Sequence, residues 1–373
     1  AWVPRACSRC SDGDAHVGRA GAIAVARQCA RTIGAMCLVV ALLPGVRPAE
    51  AALFDTDAEL GLTLELPLGR LLSDKEQREE FPATLSYAQA DGSKLTLPIE
   101  VRVRGHTRAQ LCDLPPLRVD LKPKRAAGTL FESRTELKLV TQCKASTRYR
   151  DYLLLEHKIY QAYNLVTPLS FRTRLLSVTY LDTDGRIGSF TQPAFLIEDL
   201  AEVAARLDME RVRRPTLAPT EMDSAQQNLL EIFQFMIGNT DWSALLPSDG
   251  EDTCCHNARV LAPREPAAGL VMIPYDFDQA GLIDADYAAV SPAVGGTSVR
   301  DRVYRGRCEN NPRVEASLQR FRELRPAMES LFEDARLGKA AARSAYFYLR
   351  DFYQLTASER WVRRLIYEGC LGR

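Results

Sequence analysis

Leu62, Leu64 and Leu66 alternate with polar neighbours, and this period of two predicts a strand with one buried face. Residues 83–88 and 95–104 flank the turn signal Asp91-Gly92 and predict a hairpin. Leu117, Val119 and Leu121 alternate again after Pro115-Pro116, and residues 137–140 read as another short strand. The period then changes. Tyr152, Leu155, Ile159 and Ala162 recur at three or four positions and predict a helix over residues 149–163. Strands at 171–181 and 194–197, divided by the turn Asp182-Thr183-Asp184-Gly185, follow it. The expectation is a small antiparallel sheet that encloses one helix.

Beyond Glu198 the pattern is mainly helical. Helices are expected at 200–209 and at 224–237, where Leu229, Leu230, Phe233, Met236 and Ile237 form one apolar stripe. Residues 211–220, with two prolines and several arginines, read as a connecting loop. A loop-rich stretch to about Pro312 is broken by a short apolar strand at 270–273. Leu318, Phe321, Leu324, Met328 and Leu331 have helical spacing, and Phe347, Leu349, Phe352 and Trp361 read as core. The organisation is thus a leader over 1–51, a β-rich N-terminal lobe over 52–199 and a helical C-terminal lobe over 200–373.

The leader is set apart by its own pattern. Arg27 and Arg31 precede the apolar run 32–46, and Ala49-Glu50-Ala51 supplies a small-x-small cleavage site, the three-part layout of a secretory signal. The run is shorter than the ~20 residues a membrane span requires, and Pro44 and Gly45 interrupt it. A periplasmic or secreted protein without a stable span after leader removal is expected. The whole chain is 46% hydrophobic and 26% charged, which suits a globular protein, and its zero formal charge gives no sign of a nucleic-acid partner.

Export changes how the cysteines are read. Cys7, Cys10, Cys29 and Cys37 fall in the leader, whereas Cys112, Cys143, Cys254, Cys255, Cys308 and Cys370 form an even set in the mature region and suggest disulfides. Cys112 and Cys143 flank two expected strands and are expected to pair; Cys308 is expected to pair with Cys254 or Cys255. A zinc site is the weaker alternative, since Cys254-Cys255-His256 places adjacent side chains where tetrahedral ligands need spacing.

Candidate chemistry concentrates after the apolar helix. Gly238-Asn239-Thr240-Asp241 is followed by His256-Asn257 and by Pro274-Tyr275-Asp276-Phe277-Asp278. Phosphoryl transfer needs a carboxylate to orient the nucleophile and oxygen ligands for magnesium, and Asp241, Asn257 and Asp276 supply these in order. The plain alternative is a turn at Asp241 and a solvated acidic loop at Asp276 and Asp278.

Arg102-Val103-Arg104-Gly105, Gly238-Asn239-Thr240-Asp241 and Pro274-Tyr275-Asp276-Phe277-Asp278 give the sequence a resemblance to CotH-type kinase-like proteins and, more distantly, to HipA-type kinases. It covers roughly residues 60–290. The resemblance implies an α+β, two-lobed atypical protein-kinase fold that binds ATP with Mg2+ or Mn2+. Asp241 then stands as the catalytic aspartate, Asn257 as a metal-binding asparagine and Asp276 as the magnesium aspartate. Asp278 occupies the glycine position of the usual Asp-Phe-Gly, so the metal role is shared with it or shifted to it.

Lys138 and Glu156 have the order of the lysine and glutamate that pair to hold the phosphates in such proteins. Arg118 and Lys122 are alternatives to Lys138. Arg104 to Arg108 reads either as a phosphate-facing turn or as a strand end with exposed arginines, and Glu198 falls near the lobe connection beside Asp199, a helix-capping residue. The functional expectation is an exported enzyme that transfers phosphoryl from ATP to a protein or small-molecule acceptor. Nucleotidylation would use the same acids. The alternatives are a non-catalytic kinase-like binding or envelope-structural module, and a metal-dependent hydrolase.

Overall fold

The computed structural model describes residues 53–245, 253–265, 269–291 and 294–372. The expected leader, its cleavage site and its four cysteines lie outside these residues. Seven strands form in or near the stretches expected from the sequence: β1 (Leu60–Leu66), β2 (Phe81–Ala88), β3 (Lys94–Val103), β4 (Leu117–Leu121), β5 (Glu136–Thr141), β6 (Thr173–Asp182) and β7 (Phe190–Ile197), the last starting four residues before its expected bound. They close into a barrel in the order β1-β2-β3-β4-β5-β7-β6. Neighbours are antiparallel except at the closure, where β1 runs parallel to β6 with Leu60 opposite Leu176 and Leu66 opposite Asp182.

This corrects the expected fold. An antiparallel sheet in a two-lobed kinase-like architecture was expected, whereas the sheet is mixed and closed. The reason is physical: alternation reports that one face of a strand is buried, and carries no information on which strand pairs with its second edge. The inward positions, among them Leu64, Leu85, Val101, Val119, Leu139, Val178 and Leu196, fill the barrel with aliphatic side chains.

Short helices α1 (Leu68–Ser73), α2 (Thr107–Leu111) and α3 (Pro123–Ala126) sit between barrel strands. The long α4 (Thr147–Val166) starts at Ser146, whose Oγ accepts from the Tyr149 N–H. Its burial is nearly all-round. Leu153, Leu155, Ile159 and Tyr163 join the helical core, where Tyr163 meets Phe233 at a ring separation of 4.6 Å. Glu156, His157 and Lys158 are buried with them.

The helical region contains α5 (Leu200–Arg206), α6 (Ser224–Ile237), α7 (Val314–Leu331) and α8 (Lys339–Thr356) around a small sheet of β8 (Met209–Val212), β9 (Ala258–Pro263) and β10 (Val271–Pro274) in the order β10-β9-β8. Asp223 caps α6 by accepting from the Ala225 and Gln226 N–H groups, both at 2.9 Å. Gly238 ends it at φ 65°, and a Cβ there would strike the Tyr348 hydroxyl. The expected stripe of α6 is buried from Leu230 to Ile237. Trp361, expected in the core, is instead 37% exposed. The described residues belong to a single compact unit.

Candidate active site

The stop of α6 at Gly238 delivers residues 239–243 beside the β9–β10 hairpin. Pro274 pairs with Ala258, and the Tyr275 N–H donates to the Asn257 carbonyl at 3.0 Å, so Asn257 and Asp276 lie at the same end of that hairpin. The Gly281 and Leu282 N–H groups donate to the Gly238 and Ile237 carbonyls, each at 3.0 Å, which fixes the segment after Asp278 against the end of α6. Three separate stretches of sequence therefore converge.

Asp241 is the most elaborately held of these residues. Asn257 Nδ2 donates to its Oδ2 at 2.9 Å and to its main-chain carbonyl at 2.8 Å, and His256 Nε2 lies 2.9 Å from Oδ1. Its own N–H donates to Asn239 Oδ1 at 3.0 Å. Arg305 adds a clamp, Nη1 donating to the Thr240 and Trp242 carbonyls. Asp241 keeps a partly open carboxylate on a fixed backbone. Asn257 adopts φ 50° and Asp276 φ 60°, left-handed conformations that asparagine and aspartate tolerate better than most side chains.

Asp276, Asp278 and Glu156 face one guanidinium. Arg108, on α2, contacts Glu156 through Nη1 at 2.9 Å and Nη2 at 3.3 Å, Asp276 through Nη2 at 2.8 Å, and Asp278 through Nε at 3.2 Å. Burial pushes the Asp278 carboxyl up to about 8; Arg108 opposes the shift, and Asp276, Glu156 and Asp241 add to it. Burial raises Glu156 as well, again against the pull of Arg108. One positive charge serves three acids here. Tyr160 supports the loop from below: its hydroxyl accepts from the Asp276 N–H at 2.9 Å, and its ring meets the fully buried Phe277 at 4.8 Å.

A cleft of about 150 Å³ adjoins the cluster and is lined by Arg104, Lys138, Asp199, Arg211, Arg259 and Tyr275 among others. Arg259 stacks over Tyr275 at 4.5 Å. Arg104 makes no side-chain hydrogen bond or ion pair among the described residues, and burial lowers its pKa, with Asp276 opposing.

Other expected residues are placed differently. Lys138 and Glu156 do not pair: Lys138 Nζ binds Asp199 Oδ2 at 2.7 Å, and Arg108 takes Glu156. Asp199 also caps α5 through the Ala201 N–H. Both Glu198 oxygens are engaged by Arg206, and Oε2 also accepts from the Arg172 N–H. Glu198 thus fastens α5 to the start of β6, and it also lines the cleft. The alternatives to Lys138 are also occupied, Arg118 by Asp120 and Glu136, Lys122 by Glu100.

Arg108, Tyr160, His256 and Arg305 carry site geometry that the sequence did not assign to them. Arg108 was legible only as the end of the Arg104–Arg108 turn; nothing in its spacing indicates that α2 aims it at residues 156 and 276–278.

Cys112 and Cys143 pair as expected, their Cα atoms 4.5 Å apart, just after α2 and just before α4. Cys308 pairs with Cys370 rather than with Cys254 or Cys255. The Cys308 N–H donates to the Leu371 carbonyl at 3.0 Å, so the end of the chain folds back onto residue 308, a return that sequence spacing does not reveal. No group of three or more His, Cys, Asp or Glu among the described residues is arranged to hold a metal ion as it stands. No protein-family model and no curated relative matches the sequence.

Proposed function

We propose that this protein is an exported phosphotransferase that moves the γ-phosphoryl group of ATP to a hydroxyl of a protein or small-molecule acceptor with Mg2+ or Mn2+. The observation that carries the reading is the juxtaposition of two differently furnished acid sites on neighbouring loops. Asp241 is oriented by Asn257 and His256, while Asp276 and Asp278 share the single guanidinium of Arg108. Two acids with distinct surroundings suit a reaction that needs one base and one charge anchor.

The residues fit a hard divalent ion by donor chemistry: Asp276, Asp278 and the Asn257 side-chain oxygen are all oxygen ligands. When bound, such an ion would neutralise charge on the transferred phosphoryl group. Asp241 would accept the proton of the acceptor hydroxyl as its oxygen bonds to the γ-phosphorus and the bond to the β-phosphate oxygen breaks, releasing ADP. Arg104, Arg211 and Arg259 give the adjoining cleft a charge that attracts phosphates. Lys138 is a weaker contributor because Asp199 already binds it.

The disulfides are of the kind that persist in oxidising compartments, and no helix among the described residues is long and apolar enough to cross a membrane. Both are consistent with a periplasmic or secreted protein.

A second reading is favoured by one observation. Arg108 already engages Glu156, Asp276 and Asp278, which suits a non-catalytic module that uses the cleft for binding. Calorimetric titration with ATP, with and without Mg2+ or Mn2+, followed by radiolabel transfer to candidate acceptors, separates the two. Metal-dependent binding with transfer supports the enzyme; binding without transfer supports the module; absence of binding sinks the enzyme and any module that takes a nucleotide.

A further inference from the structure

Three acidic side chains share one guanidinium. Arg108 is 13% exposed at its side chain, Glu156 2% and Asp278 9%, so water does little to compensate them. A second cation, Arg104, feels Asp276 yet bonds none of the three. The contacts of Arg108 are also unequal in kind. Glu156 takes two nitrogens in a forked pair from a buried position on α4, an element that packs on both the barrel and the helical core. Asp276 and Asp278 each take one nitrogen, from a loop whose first acid is 39% exposed at its side chain. The Glu156 contact is the anchor, and the two aspartate contacts face the open side.

From this geometry we infer that Arg108 is a positioning residue that shares Asp276 and Asp278 with a divalent ion and, once released from them, binds phosphate. The inference rests on the phosphotransferase reading of the site. Arg108 releases the two aspartates when a divalent ion binds them, since their oxygens cannot fully serve both cations. It stays fixed by Glu156, and the nitrogens set free, Nε and one edge of Nη2, are the donors that a guanidinium presents to a phosphate. Arg108 is then a competitor of the ion in the absence of nucleotide and its ally in the presence of nucleotide. A merely structural ion pair has neither property.

The two roles predict changes of opposite sign in one variant. Arg108→Gln should bind Mn2+ without nucleotide more tightly than the wild type, by roughly tenfold, because an opposing charge within about 4–6 Å alters a carboxylate's affinity for a cation on at least that scale. The same variant should bind ATP with Mg2+ about tenfold more weakly. Arg108→Lys, which keeps the charge and loses the fork, should lie between the two on both measures.

Free Mn2+ is read by electron paramagnetic resonance and nucleotide by calorimetry, on oxidised protein with the Cys112–Cys143 bond intact. Circular dichroism melts establish that each variant is folded, and Arg108→Lys keeps the test available if Arg108→Gln does not fold. Loss of both affinities, or no change in either, overturns the inference while leaving the phosphotransferase reading standing. A wild-type protein that binds neither Mn2+ nor ATP overturns the reading itself and the inference with it.

Discussion

Asn257 holds Asp241 with a single amide nitrogen, which donates to both the carboxylate and the main-chain carbonyl. Asn257 does this from φ 50°, so its side chain and its backbone conformation are selected together. Asn257→Ala should lose the hydrogen bonds, at about 1 kcal/mol net, and place a Cβ-bearing residue without asparagine's local bonding in the left-handed region, at about 1–2 kcal/mol. Urea denaturation should show a total loss of about 2–3 kcal/mol. An unchanged midpoint would mean that this clamp contributes no stability.

The two acid sites should separate in function. Asp241→Asn is expected to leave ATP binding near wild type while lowering transfer by roughly 10²–10⁴-fold, the scale of general-base assistance. Asp276→Asn is expected to weaken metal-dependent nucleotide binding, because a neutral amide attracts the ion less. Paired calorimetry and radiolabel assays on the same preparations check this. Wild-type binding by Asp276→Asn, Asp278→Asn and the double variant would remove the metal assignment of that loop.

Much of the local structure was legible in the sequence, and the reason differs by element. The α6 helix is marked at both ends, by Asp223 as cap and Gly238 as stop, and its bounds agree with its pattern. The alternating leucines of β1 and the Asp91-Gly92 hairpin are equally plain. Barrel closure is not, because the strand that meets the outer edge of β1 lies beyond α4 and pairing sense leaves no mark on alternation. Within the candidate site, the motif residues 241, 257 and 276 do come together. Their partners were hidden: Arg108 and Glu156 meet through tertiary packing alone, and Lys138, which looked better by order, is aimed at Asp199.

The Cys112–Cys143 bond joins positions separated by 31 residues. Replacing both cysteines by serine should therefore cost about 3–4 kcal/mol through the freed entropy of the unfolded chain. Thermal melts of the variant and of wild type with and without reductant measure it. A loss below about 1 kcal/mol would mean that the unfolded chain is already restrained there.

Two buried groups should make stability respond to pH in opposite directions. Burial raises Glu231 to about 7, against donors from Asn310, the Arg307 N–H, Asn228 and Gln227. Its folded form holds a proton that the unfolded form has lost, so its contribution to stability falls as pH rises from about 4.5 to 7, by up to about 1.4 kcal/mol per unit. His157 is the reverse: burial, with help from Lys158 and Arg336 against Asp334, lowers it to about 3, so its contribution is lost as pH falls below its ordinary value of 6.5. The slopes oppose between about 4.5 and 6.5. Glu231→Gln should unmask the histidine and give a stability that climbs with pH across that window, as followed by urea midpoints at several pH values. A variant with the same pH profile as wild type would show that Glu231 is ionised in the folded protein.

The parallel seam between β1 and β6 sets an order of events for a chain that is delivered amino end first. β1 can zip to β2 as soon as both have emerged, but its other edge must wait until residues as late as Asp182 arrive, with all of α4 in between. During that interval β1 displays a row of unpaired amides and carbonyls to any neighbouring chain. Cys112 and Cys143 arrive before β6, so their bond can form while the wall is still open. Crowding at the exit is thus most hazardous for this protein between the appearance of β2 and that of β6, and a partner that shelters an extended edge during that interval would raise its yield without ever touching the folded molecule.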